Sequence, residues 1–216
     1  MHSATLQSAT PDPEAFMAYV ARVSNPANQD NPDHGGLLRY CLKKRHWSVF
    51  EHAVMTLEVT TTLDVATQLL RHRSFTFAQL SRRYASGEQA RVSFEMPELR
   101  TQHPTNRQAS LDTLPEEQRE EFEDRIAYLY AMIKDLYDDM IVAGIAKECA
   151  RAVLPQSTET RLYVTGNCRS WITYIALRSG HGTQPEHQRV AHSCRMAFRQ
   201  VFPVCAEALD AMAWAI

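Results

Sequence analysis

The sequence predicts an α+β fold, helices mixed with a few strands that are not adjacent in the chain. Three observations predict it. Phe122, Ile126, Leu129, Ile133, Leu136 and Met140 recur at helical spacing over about 116–140. Residues 53–61 alternate and are rich in β-branched side chains, as a strand requires. Four further helical stretches fall after residue 140, broken only by a short strand at about 160–165.

In order along the chain, residues 3–9 read as a short strand. Pro11-Asp12-Pro13 opens a helix at about 13–23, with Phe16, Val20 and Val23 on one face. Asn25 to Gly36 is rich in Asn, Asp, Pro and Gly and reads as a loop, followed by a short helix over about 36–44. After the 53–61 strand, Leu63 to Leu70 forms a short helix, with Val65 and Leu69 four apart, that runs into Arg71-His72-Arg73. Residues 74–110 show little periodicity and read as a long loop with a strand near 89–95; a loop of that length is usually functional or disordered. Pro115 and the acidic turn Glu116-Glu117 suit the start of the long helix. Helices at about 143–153, 167–178 and 184–201 follow, with a short one near 205–214.

Composition narrows the function classes. A chain of 216 residues can bury a full core, and 22% charged residues is ordinary for a soluble globular protein. The net charge of −2 does not suggest a nucleic-acid binder, so any anion site must come from local arginine clusters. Cys41, Cys149, Cys168, Cys194 and Cys205 are odd in number and contain no CxxC, which argues for free thiols and against a zinc site or disulfide framework. The start has neither a basic n-region nor an apolar h-region, and no apolar run approaches a membrane span; a cytoplasmic protein is expected, without membrane partner.

The densest polar cluster is Arg71-His72-Arg73, with Ser81, Arg82, Arg83 and Tyr84 downstream. Guanidinium forks make bidentate charge-assisted bonds, so the cluster suits a phosphate; a solvated basic turn is the simpler alternative. His46 and His52 are six apart with no third ligand, so no metal is expected. Arg151, Asn167, Arg169 and Arg178 lie at helix ends, where ion pairing or capping could account for them. No GxGxxG, GxxxxGK[ST] or GxSxG is present, so a dinucleotide, if bound, is not held by a Rossmann turn.

Five segments, in order, resemble the flavin-dependent thymidylate synthases. The first is Arg71-His72-Arg73, seven residues, then Ser81, with Arg82-Arg83-Tyr84 after it. The others are His46-Trp-Ser48-Val-Phe50-Glu51-His52, Ala150-Arg151-Ala-Val153-Leu154-Pro155, Asn167-x-Arg169-Ser170 with Arg178, and Thr183-Gln184-Pro185-Glu186. The resemblance implies one domain over residues 1–216, with helices around a small, mostly antiparallel sheet of the thymidylate synthase-complementing type. It implies methylation of dUMP to dTMP with 5,10-methylenetetrahydrofolate as one-carbon donor and FAD, reduced by NADPH, as hydride source. It also implies a homotetramer with active sites shared between subunits.

Carried over by position, Ser48, Arg71, His72, Arg73, Gln79, Asn167, Arg169 and Thr173 resemble FAD contacts. Gln68, Arg71, Gln79, Leu80, Ser81, Arg82, Arg83, Arg151 and Arg178 resemble dUMP contacts; of the expected catalytic pair, Arg178 resembles the residue that faces the uracil ring and His46 the histidine near flavin and folate. Three positions depart from the common pattern: Ala78-Gln79 stands where many members have Asn-Glu, Thr173 replaces an amide, and His181 is one place early. Two other readings compete, a non-catalytic RNA or nucleotide binder and a flavoprotein of this fold without synthase activity.

Overall fold

The computed structural model describes residues 1–85, 91–180 and 182–214. The elements are β1 (Ser3–Ala9), α1 (Pro13–Ala21), α2 (Gly35–Lys43), β2 (Val54–Thr62), α3 (Leu63–Leu69), β3 (Thr76–Gln79), β4 (Thr101–Gln102), β5 (Ser110–Leu111), α4 (Glu116–Val142), α5 (Lys147–Ala150), β6 (Glu159–Asn167), α6 (Cys168–Arg178), α7 (Pro185–Val201) and α8 (Pro203–Ala211). Helices and sheet are mixed, as the sequence predicts. The main sheet has strand order β1-β2-β6-β3; β4 and β5 form a separate antiparallel pair. No described helix is long and apolar enough to cross a membrane.

The chain divides into two compact units. The first contains residues 60–69 and 79–161, with Met1; the second contains 2–59, 70–78 and 162–216.

In the second unit the alternation of β2 and β6 does what the pattern requires: Met55, Leu57, Val59, Leu162 and Val164 are buried. Thr56 and Thr165 join hydroxyls at 2.9 Å. Trp171 of α6 is fully buried, and its indole Nε1 donates to the Met55 carbonyl at 3.1 Å. The inner face of α7, with His187, Val190, Ala191, Cys194 and Phe198, follows the i, i+3, i+4, i+7 spacing of a core-facing helix. Gly166 is required by Phe75: a Cβ there would lie 2.3 Å from the Phe75 ring. That ring also packs on Trp171 at 4.5 Å between centroids.

Helix α1 corrects one sequence expectation. Phe16 and Val23 are exposed, and the buried face is Glu14, Met17 and Ala18. Glu14 turns inward because it caps α8. Its two carboxylate oxygens accept from the Val204 and Cys205 N–H groups at 3.1 and 2.8 Å, donors that the helix itself leaves orphaned.

In the first unit, α4 runs two residues beyond the expected end. Gly144, at φ 79°, stops it: Ile145 N–H donates to Met140 O and Gly144 N–H to Ile141 O, a Schellman closure. The helix expected over 143–153 is instead this turn, the single turn of α5, and a 3-10 turn at Arg151–Val153. The strand expected near 89–95 falls partly on residues 86–90, outside the described residues, and beyond them only Phe94 bridges, to Thr158. Strands β3 and β4 lie inside the stretch expected as loop, and β5 begins at its last residue. Val92, Tyr137 and Ala150 form a small core, flanked by Phe94, Met140, Ile141, Val153 and Leu154.

Candidate functional site

Arg71-His72-Arg73 leaves the end of α3 and enters the second unit ahead of β3. Arg71 and Arg73 are exposed, and neither makes an ion pair within that unit among the described residues. His72 is half-buried, and its Nε2 accepts from Arg178 Nε at 2.9 Å. The first and fourth sequence segments therefore meet at a defined bond. A guanidinium is always charged and has no acceptor, so His72 Nε2 must present a lone pair and the ring carries its proton on Nδ1. Burial, and then the Arg178 charge, hold the His72 pKa down at about 4.

Behind this pair lies Tyr174, one helical turn before Arg178. Its ring meets His72 edge-on at 5.0 Å and 88°. Its hydroxyl is hydrogen-bonded to His187 Nε2 at 3.1 Å, and both side chains are buried. Neither residue is signalled by the motifs; the sole hint is the i, i+4 spacing of Tyr174 and Arg178 on one helix face.

The second and fourth segments also meet. Arg169 pairs with Glu51, whose neighbours His46 and Ser48 are exposed. The His46 ring lies edge-on to Tyr40 at 5.8 Å. Asn167 is the N-cap of α6, its side-chain oxygen accepting from Ser170 N at 2.8 Å. Ser170 Oγ donates to the Ser74 carbonyl at 3.3 Å, tying the cap to the first segment. Thr173 is exposed and bonds back to the Arg169 carbonyl at 3.0 Å.

The expected dUMP residues, apart from Arg71 and Arg178, lie in the first unit. Gln68 is partly buried on α3. Gln79 Nε2 donates to Thr160 Oγ1 at 3.2 Å, and Leu80 N–H to Arg161 O at 2.9 Å, so β3 and its extension align with β6. The Ser81 carbonyl then accepts from Tyr84 and Ala85 N–H at 3.1 Å each, forming the turn that presents Ser81. Arg83 pairs with Glu148 at 2.9 Å, and Arg151, one turn beyond Glu148, is exposed. Arg82 differs in kind: it is buried and gives its guanidinium to the carbonyls of Glu159, at 2.8 Å, and Arg91, at 3.4 Å. It anchors the turn that carries Ser81 and Arg83. His181 lies outside the described residues.

All the thiols but Cys149, which is exposed, are poorly placed for nucleophilic work. Four of the five cysteines are buried, and burial pushes the Cys41 and Cys194 thiols up. Cys205 is pushed up by its hydrogen bond with Cys168 and by burial.

Residues 5–204 match the family described as "Thymidylate synthase complementing protein". A probable flavin-dependent thymidylate synthase of Paramecium bursaria Chlorella virus 1 is 48% identical over 201 residues, 91% of this chain and 90% of its own length. The flavin-dependent thymidylate synthase of Synechocystis sp. is 45% identical over 198 residues, 92% of this chain and 90% of its own. Among solved structures, a UMP/dUMP methylase, PolB from Streptomyces cacaoi, bound with 5-Br dUMP, superposes with a TM-score of 0.82 at 28% identity, covering 98% of this chain and 95% of that one. By motif, by sequence and by fold, this chain belongs to the thymidylate synthase complementing protein family.

Proposed function

We propose that this protein methylates dUMP to dTMP, using FAD, NADPH and 5,10-methylenetetrahydrofolate. The observation that carries this reading is the bond between His72, in the centre of the Arg-His-Arg motif, and Arg178, the expected uracil-facing residue. Arg71 and Arg73 fit the diphosphate of FAD, being exposed guanidiniums that no carboxylate neutralises within their unit among the described residues. Ser48, Asn167, Arg169 and Thr173 add polar groups for the same cofactor. Bound FAD supplies hydride chemistry at the expense of NADPH, while the folate supplies the carbon.

Ser81, Arg83 and Arg151 would hold the nucleotide phosphate. The Arg83–Glu148 pair is half exposed, and such pairs are worth only about 0–1 kcal/mol, so a phosphate dianion can displace Glu148. Arg178 would stabilise negative charge as the pyrimidine reacts, an electrostatic task that needs a fixed direction. Burial makes Cys41, Cys168, Cys194 and Cys205 poor nucleophiles for the ring, and the proposed chemistry needs no attack by the exposed Cys149.

A homotetramer fits the surface of α4. Leu129, Met132 and Leu136 are each about half exposed, and Tyr128 is more so. A second copy of the same chain is the occupant that would cover this apolar stripe in a shared-site assembly.

The test is optical, then chemical. Purified protein should absorb as an oxidised flavoprotein, bleach with NADPH, and convert dUMP faster than UMP when the folate is added. Colourless, catalytically silent protein would support the nucleotide-binder reading; bleaching without product would support a flavoprotein without synthase activity. Faster turnover of UMP would reassign the substrate, an outcome prompted by the UMP/dUMP methylase with this fold.

A further inference from the structure

The buried pair Tyr174–His187 has no part in the chemistry assigned above, yet it backs the bond between His72 and Arg178. Tyr174 and Arg178 project from the same face of α6, while His187 comes from the first turn of α7. The phenol is fixed at its far end by His187 Nε2, at 3.1 Å, and its ring edge walls the His72 imidazole, at 5.0 Å. His72 in turn holds Arg178 Nε. Using Nε for this bond leaves the Nη edge of the fork to face another acceptor.

We propose that Tyr174 and His187 are positioning residues, which clamp His72 against Arg178 Nε and thereby fix the direction of the Arg178 guanidinium. The inference rests on the reading that Arg178 faces the pyrimidine. The groups facing the clamp support it. The titratable and charged groups that act on the pair are Arg178, His72, His2 and Cys194. His187 is held neutral, its pKa down at about 3, by burial and then by Arg178, His72 and His2. Tyr174 is pushed well up by burial and then by Cys194, so it stays a neutral phenol. The guanidinium is then the one full charge among Arg178, His72, Tyr174 and His187, held by neutral rings that do not compete with it for an anion.

Tyr174→Phe removes one oxygen and keeps the ring. His187→Leu removes the partner, and His187→Gln restores a polar group near the same place. Each variant is assayed for FAD per subunit, for kcat and KM with dUMP, and for binding of 5-fluoro-dUMP to the flavin-free protein across pH, which reports preference for the ring anion. Tyr174→Phe and His187→Leu should lower kcat by about tenfold, the scale of one misdirected hydrogen bond, with flavin content and dUMP KM nearly unchanged. The preference for the anionic ring should fall in parallel, His187→Gln should recover most of it, and neither loss should appear in an Arg178→Ala background. Normal kcat in both Tyr174→Phe and His187→Leu, or the same loss with Arg178 absent, overturns the positioning role. If Arg178→Ala itself has normal kcat, the reading of Arg178 falls and the clamp with it. Should His187→Leu fail to fold, Tyr174→Phe alone decides.

Discussion

At the scale of residues, charge and protonation separate the groups proposed to hold ligand from those that hold the protein. Arg73 is exposed and unneutralised within its unit among the described residues, whereas Arg82, nine positions on, is buried among carbonyls. Arg73→Ala should therefore yield nearly colourless protein that still folds. Losing a charge-assisted contact costs about 1.5–3 kcal/mol, or one to two decades in affinity. Stoichiometric FAD in that variant at low flavin would refute the assignment. The two depressed histidines make a second prediction. His72 and His187 stay neutral in the fold down to about 4 and 3, but in the unfolded chain they take up protons below about 6.5. The unfolded state then binds more protons, so stability is intact above about 6.5 and falls as pH drops toward 4. Melting curves from pH 8 to 4 should show this loss, with His187→Gln showing a shallower one; a pH-independent difference between the two proteins would contradict it. The Arg-His-Arg motif was legible at this scale because its spacing is local. Tyr174, His187 and Glu14 were not, because their partners are 13 to 191 positions away and no local pattern marks them.

Elements were legible where their own periodicity decides their burial. Strand β2 and helix α7 read correctly because one face of each meets the core. Helix α1 was found but turned to the wrong face, since a capping duty on α8 outweighs the usual preference for keeping Glu14 in water. Strand β3 was missed because an edge strand of four residues takes its pairing from distant β6, not from its own pattern. One element carries a sharp test. Gly166 in β6 lies under the Phe75 ring, two residues after Arg73, and a methyl group there would sit 2.3 Å from that ring. Gly166→Ala should destabilise the protein by about 1–3 kcal/mol through overpacking and, by displacing the segment after Arg73, loosen FAD. A variant with normal melting temperature and normal flavin affinity would show that Phe75 is free to move.

For the whole molecule, the long helix is the informative failure of pattern reading. The stripe Phe122, Ile126, Leu129, Ile133, Leu136 and Met140 predicts a buried face, but Phe122, Leu129 and Leu136 are exposed; within this chain Tyr137 is buried and Ile126, Ile133, Met140 and Ile141 are partly so. Apolar periodicity marks a face suited to burial without saying which chain would bury it. With the proposed tetramer, Leu136→Glu should leave the fold intact but shift light-scattering mass toward smaller species, with loss of activity where sites are shared. A wild-type active monomer would rule out that assembly. The central claim is that methyl transfer to dUMP depends on flavin, and its most direct measurement is dTMP formed from dUMP, methylenetetrahydrofolate and NADPH by protein stripped of flavin, before and after FAD is restored. The proposed chemistry predicts no dTMP before and steady dTMP formation after. Equal dTMP without flavin, or NADPH oxidation with FAD but no dTMP, would contradict it.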